Sequence, residues 1–248
     1  MKLAGIQLRP LSHAEAMANF SRIIKEGQGS IVVTVNPEMI VHATRDPLFK
    51  TIIHSAEMHL IDGAGIAFAG RLRGYAKLDR FTGVDAVWRI AEIAAEEGSR
   101  VFLLGARDGL TLMQTARNLQ KKYSALKIVG TYADFRAVEH ENGVAILEKE
   151  ERAIISRIGE TRPDILLVAL GHGKQEKFIW QYKKLFPDVK LFMGVGGAFD
   201  FISGQVRRAP EWMQSAGLEW LWRFAQEPWR AGRIANATIV FLWKMMRG

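Results

Sequence analysis

The chain contains no cysteine, which removes disulfides, thiolate metal sites and cysteine nucleophiles together and fits a reducing compartment. Met1–Phe20 lacks a cationic start, an apolar core and a small-residue cleavage site, so the expectation is a protein that stays in the cytoplasm. No Gly-x-Ser-x-Gly elbow is present, and the six histidines are scattered. His54 and His59 stand five apart and do not form a His-Glu-x-x-His pair, while His13, His42 and His140 fall in stretches that read as charged helices. Hydrolysis by a nucleophilic triad and a resident metal cluster are both unsupported. Also missing are an Asp-x-Asp pair for holding a divalent ion on a diphosphate, a Gly-x-Gly-x-x-Gly dinucleotide fingerprint and a Walker A loop.

What remains is an ordinary globular composition, 48% hydrophobic and 24% charged, with a formal net charge of +8 that suggests an anionic partner. The charge is concentrated. Gly204–Gly248 carries seven basic residues (Arg207, Arg208, Arg223, Arg230, Arg233, Lys244, Arg247) against three acids, and five of the seven tryptophans. Arginine interleaved with tryptophan fits a membrane interface, a single-stranded nucleic acid on which bases stack, or a core helix with a solvated basic face. Composition leaves all three open.

Periodicity gives a repeating strand–helix order. Leu3–Leu8 reads as a short β element, followed by a helix from Ser12 to Glu26 with Ser12 and Glu15 as a capping box. Strands are expected at Ile31–Val35, Met58–Ile61, Arg100–Leu104, Lys127–Thr131, Asp164–Leu170 and Val189–Met193. Helices are expected at Glu38–Ala43, Val84–Gly98, Gly109–Tyr123, Gln175–Phe186 and, as one long charged element, Glu139–Ile158. This alternation predicts an α/β fold, a Rossmann-like, mostly parallel sheet with helices on both faces. The expected division is an α/β core over residues 1–203 and a C-terminal helical appendage over 204–248 that meets the membrane.

Ligands of such sheets bind beyond the carboxyl ends of the strands. The residues there are Thr34 and Asn36, then Asp62, Gly105, Gly171 to Gln175, and Gly194-Val195-Gly196-Gly197 with Asp200. Apolar strands ending in glycine or polar residues point to a nucleotide-type ligand held by backbone amides and arginines. Asp62 is the best general base, although as the first residue of Asp-Gly-Ala-Gly it could equally cap a turn, and Asp200 could equally N-cap a helix.

The set Thr34-x-Asn36-x-Glu38, Asp62-Gly-Ala-Gly65, Leu170-Gly-His-Gly-Lys-Gln-Glu176, Gly194-Val-Gly-Gly-Ala-Phe-Asp200, Arg208-Ala-Pro210 and Gly217-Leu-Glu-Trp220…Glu227-Pro-Trp-Arg230 resembles the WecG/TagA/CpsF family of bacterial glycosyltransferases. The motifs keep the family's order from about Ile31 to Arg233. The resemblance implies an inverting, metal-independent transfer of a sugar from a UDP-sugar to a polyprenyl-diphosphate-linked acceptor at the cytoplasmic membrane face. The sugar would be N-acetylmannosamine, its uronic acid, glucose or glucuronate, in surface polysaccharide or exopolysaccharide assembly. Carried over by position, Asp62 becomes the base, Thr34 and Asn36 stand near the reacting sugars, and Gln175 and Asp200 contact the nucleotide sugar. Gly105, Gly171, Gly196 and Gly197 line the donor, and Arg223, Arg230 and Arg233 close over the diphosphate. No cofactor, metal or nucleic acid is expected, and a homo-oligomer is left open.

Two features depart from the family pattern. The loop reads Gly171-His172-Gly173-Lys174 where a small residue and proline are expected before the lysine. The run Ile234–Met246 is unusually apolar, yet shorter than the ~20 residues a bilayer span requires, and reads as an interfacial helix. The alternative reading is a non-catalytic protein on the same sheet that binds anionic lipid or nucleic acid.

Overall fold

The computed structural model describes residues 1–72, 74–75, 78–216, 218–226, 232, 239–241 and 243–244, and gives the backbone alone at Ala64, Ser215, Trp220, Arg223 and Phe224. In chain order the strands are β1 (Lys2–Leu3), β2 (Ile6–Gln7), β3 (Ser30–Val35), β4 (Met58–Ile61), β5 (Arg100–Gly105), β6 (Lys127–Tyr132), β7 (Ala137–His140), β8 (Gly143–Ile146), β9 (Ile165–Ala169) and β10 (Leu191–Gly194). The helices are α1 (His13–Glu26), α2 (Pro37–Ala43), α3 (Pro47–Ser55), α4 (Ala64–Leu72), α5 (Gly83–Glu97), α6 (Gly109–Lys122), α7 (Glu148–Thr161), α8 (Lys174–Tyr182), α9 (Ala198–Ile202), α10 (Glu211–Ser215) and α11 (Glu219–Gln226).

Six strands form one sheet in the order β4-β3-β10-β9-β5-β6, and every pairing in it is parallel. Alternate residues feed two separate cores, as a sheet covered on both faces requires. Ile31, Val33, Phe102, Leu104, Leu166, Val168 and Phe192 pack with α2, α3, α4, α7 and α8. Val32, Met58, Leu60, Val101, Leu103, Ile165, Leu167, Leu191 and Met193 pack with α1, α5, α6 and α9. The α/β expectation holds.

Local chemistry explains most boundaries. Ser12 and Glu15 form the predicted capping box on α1, and Gly98 ends α5 in the left-handed conformation. Three expectations are corrected. Leu3–Leu8 is a hairpin of β1 and β2, turned at Ala4 and Gly5, both with positive φ. Glu139–Ile158 is not one helix. Its first part is the β7–β8 hairpin around Glu141-Asn142, which places His140 in a strand, and only Glu148–Thr161 is helical. Asp200 lies inside α9 and so does not cap it.

Helix α3 had no counterpart in the sequence reading, although Asp46-Pro47, an N-cap followed by proline at the first helical position, carries the start signal. Of the apolar run at 234–246, Phe241 is 0% exposed and belongs to the first core, so that point of the run packs on the protein; residues 234–238, 242, 245 and 246 lie outside the described residues. No helix among the described residues is long and apolar enough to cross a membrane.

Candidate active site at the carboxyl edge of the sheet

Because the six strands run the same way, their carboxyl ends share one edge, and the register decides which residues stand level there. Val35 pairs with Ile61, so Asn36 and Asp62 are the first residues past β3 and β4, and the Asp62 N–H donates to the Val35 carbonyl at 2.9 Å. Gly194 pairs with Val168 and Gly105 with Ala169, which brings Gly196-Gly197, Gly171 and Gly105 to the same edge. At about 4.8 Å per strand, the row from Asp62 on β4 to Gly105 on β5 runs about 19 Å. That length suits an extended, two-part ligand.

Beneath the row the side chains are tightly held. Thr34 is buried, and a Cβ added at Gly83 would come within 4.0 Å of its methyl and 3.4 Å of the Val195 carbonyl, so the start of α5 packs directly against β3 and β10. The Asn36 side chain accepts the Met39 N–H at 3.0 Å and thereby caps α2. Gln175 is 3% exposed: its Oε1 accepts the Gly196 N–H at 2.9 Å, and its Nε2 donates to Glu176 Oε1 at 2.8 Å. A Cβ at Gly194 would lie 2.6 Å from that Nε2, so the glycine is what lets α8 clamp the loop after β10. Gly105 combines φ +83° with a would-be Cβ 2.6 Å from the Ala169 carbonyl, a place no side chain fits.

Asp200 is buried in α9, with Arg107 Nε 3.7 Å from its Oδ1. Arg107 was not foreseen, although a cation two residues past a strand-ending glycine is the signal that marks it. Arg223, Arg230 and Arg233 cannot be set against this frame: the Arg223 side chain and all of Arg230 and Arg233 lie outside the described residues.

Around His172 lies a second layer of charge. His172 Nδ1 sits 3.3 Å from Glu38 Oε2, joining the loop after β9 to the start of α2. Glu176 is buried and accepts the Gly173 N–H at 2.7 Å; burial pushes its carboxyl up to about 7. The Lys177 side chain is 1% exposed and its ammonium meets Asp46 Oδ2 at 2.6 Å, Glu139 Oε1 at 3.1 Å and the His140 carbonyl at 2.7 Å. His42 stands 3.2 Å from Glu139 Oε1 and 3.4 Å from Asp46 Oδ2. Burial would pull His42 down, but Glu139 and Asp46 outweigh it and hold its pKa above the ordinary value. His42, Asp46 and Glu139 could between them surround a metal ion, but the cation that meets both carboxylates here is Lys177.

A third group ties the C-terminal segment to the sheet. Arg208 Nη1 meets Asp85 Oδ1 at 2.8 Å, and its Nε donates to Glu219 Oε1 at 3.1 Å. Arg80, which pairs with Ile61 at the edge of β4, contacts the other Glu219 oxygen and donates to the Gln214 carbonyl at 2.6 Å. Burial would raise the Asp85 carboxyl, but hydrogen bonds from Arg208 and Thr82 outweigh it and hold it below the ordinary range. The Arg208-Ala-Pro and Leu218-Glu-Trp motifs thus converge on the start of α5. Sequence separations of more than a hundred residues hid that meeting.

The row, the glycine loop and the clamped C-terminal segment combine motifs spread over most of the chain, and comparison with known proteins recovers the same span. The model of the glycosyl transferase WecG/TagA/CpsF family matches residues 1–248. An N-acetylglucosaminyldiphosphoundecaprenol N-acetyl-beta-D-mannosaminyltransferase of Bacillus subtilis (strain 168) is 33% identical over 209 residues, covering 84% of this chain and 76% of the relative. A protein of the same description from Bacillus spizizenii (strain ATCC 23059 / NRRL B-14472 / W23) is 31% identical over 213 residues, covering 86% and 77%. These matches decide against the non-catalytic reading: the chain is a glycosyltransferase and belongs to the WecG/TagA/CpsF family.

Proposed function

We propose that the protein transfers an N-acetylmannosamine-type sugar from a UDP donor to a polyprenyl-diphosphate-linked acceptor, with inversion and without a metal, while resting peripherally on the cytoplasmic membrane face. The observation that carries the reading is the row of Asp62, Asn36, Gly196-Gly197, Gly171 and Gly105 along one sheet edge. The described relatives act on a lipid-diphosphate acceptor by name. Inversion in one step needs a single carboxylate to take the proton of the attacking acceptor hydroxyl, on the side of the sugar opposite the leaving group. Asp62, at the end of β4, is that base, with Thr34 and Asn36 beside it orienting the sugars. The nucleotide extends toward Gly105 over the loop that Gln175 and Asp200 hold.

The leaving UDP carries negative charge that cations and backbone N–H groups must stabilise. Arg223, Arg230 and Arg233 from the C-terminal segment stabilise it, while Arg107, paired with Asp200, stands toward the nucleoside end of the row. No Asp-x-Asp pair exists to hold a divalent ion on the diphosphate, which favours a metal-independent route.

The test is UDP release in the presence of EDTA across a panel of UDP-sugars, with a short-chain polyprenyl-diphosphate sugar acceptor. One donor turns over, and Asp62→Asn lowers kcat by about a hundredfold or more with little change in donor binding. Full activity of Asp62→Asn would remove Asp62 from the role of base.

A further inference from the structure

Helix α4 begins two residues after Asp62 and packs one side inward: Ile66 and Ala69 are buried, and a Cβ at Gly70 would collide with Leu78. Its other side is apolar and open. Phe68 is 56% exposed and Leu72 72%, one helical turn apart, and Tyr75 just beyond the helix is 40% exposed. Adjacent exposed apolar side chains of this size mark an interaction surface more often than chance.

The charge of the same segment names the occupant. Between Asp62 and Asp79 there is no acidic residue, while Arg71, Arg73 and Lys77 are basic. Phenylalanine and leucine flanked by arginine, with a tyrosine at the margin, match the layering of a membrane interface: apolar groups reach the acyl boundary, and cations meet anionic headgroups. A protein partner would match the apolar side chains equally well but leaves the one-sided charge unexplained.

We propose that the outward face of α4 docks on an anionic phospholipid bilayer and so sets the mouth of the site beside Asp62 against the membrane. The proposal rests on the lipid-linked acceptor reading above. A base on a strand that feeds directly into the docking helix keeps a fixed height over the headgroups, where the acceptor's first sugar stands.

The experiment uses the full chain. Absence of native cysteine lets Phe68→Cys carry an environment-sensitive dye, with Leu185→Cys, exposed near the amino edge of the sheet, as the control position. With phosphatidylglycerol-containing vesicles the dye at position 68 shifts to the blue and the one at 185 does not; pure phosphatidylcholine gives a much smaller shift. Unlabelled Phe68→Ser/Leu72→Ser binds the anionic vesicles about tenfold more weakly, with its thermal unfolding midpoint retained. Arg71→Glu weakens binding in the same direction, and added salt reduces the difference.

A dye at 68 that ignores anionic vesicles, or vesicle binding unchanged in both variants, overturns the proposal. So does a dimer that the double serine variant dissociates while vesicle binding persists, because a second copy of the chain would then cover the face. Turnover with the short-chain acceptor, measured without vesicles, separates the two readings. Turnover with a silent dye removes the docking surface alone; a shifted dye without turnover removes the lipid-acceptor reading and leaves the docking face standing.

Discussion

Glu176 gives the site a pH dependence that can be isolated. Its carboxyl titrates near 7 in the folded chain against 4.5 when unfolded, because burial disfavours the charged form. For an acid raised in this way the sign is opposite to the usual one: stability is highest below 4.5, falls as pH rises to about 7, and then levels off, a loss of ~3 kcal/mol. Glu176→Gln removes that slope, so urea unfolding at pH 5 and pH 8 should show a smaller difference in the variant than in the parent. Gly105→Ala is a second residue-scale test. With φ +83° and the Ala169 carbonyl in the way, it should cost ~2 kcal/mol or more in the same assay. At this scale Asp62, Asn36 and the strand-end glycines were legible in the sequence because each interrupts an apolar strand. Gln175 was legible as a polar residue near a strand end, but its hold on Gly196 depends on two loops meeting in space.

Elements were legible where periodicity and caps agreed and misread where they competed. Residues 139–158 contain enough glutamate, lysine and arginine to look helical throughout, yet Asn142-Gly143 is a turn signal, and the short apolar pairs on either side of it complete a hairpin. That hairpin carries Glu139 to Lys177 and Asp46, from three elements no local pattern connects. Lys177→Met leaves two partly buried carboxylates without their cation and should cost ~3 kcal/mol in urea unfolding. His42 makes the loss depend on pH. Held above its ordinary value by the same carboxylates, its contribution is fully present below the unfolded pKa and is lost as pH rises through the folded one. The deficit of Lys177→Met should therefore be smaller at pH 6 than at pH 8, where the imidazole is neutral. Equal deficits would show that His42 does not share the cluster's charge.

At the scale of the whole molecule, the parallel sheet and its two cores followed from strand–helix alternation alone, since near-continuous apolar strands have to be covered on both faces. The segment beyond Gly204 is tied to the sheet at several points. Arg208 ties it to Asp85 of α5, Glu219 ties it to Arg80 at the edge of β4, and Phe241 is buried in the first core. Phe241→Ala should cost ~3 kcal/mol or more of the stability of the entire fold, read as a lower urea midpoint with an unchanged slope. An independent appendage would instead give a second, separate transition.

The burial of Phe241 also bears on how the protein is made. Met1, Leu3 and Leu8 belong to the same cluster, so residues made early share a core with a residue made more than two hundred positions later. Until Phe241 emerges, that face of the sheet lacks one of its largest fully buried side chains, and the growing chain holds it open to water or to a chaperone. Among the described residues, the opposite face, closed by α1, α5, α6 and α9, has the buried members of its cluster by Ile202. Biosynthesis therefore completes the two sides of one sheet at different moments, and the late side stays short of one large apolar side chain until the chain has passed Phe241.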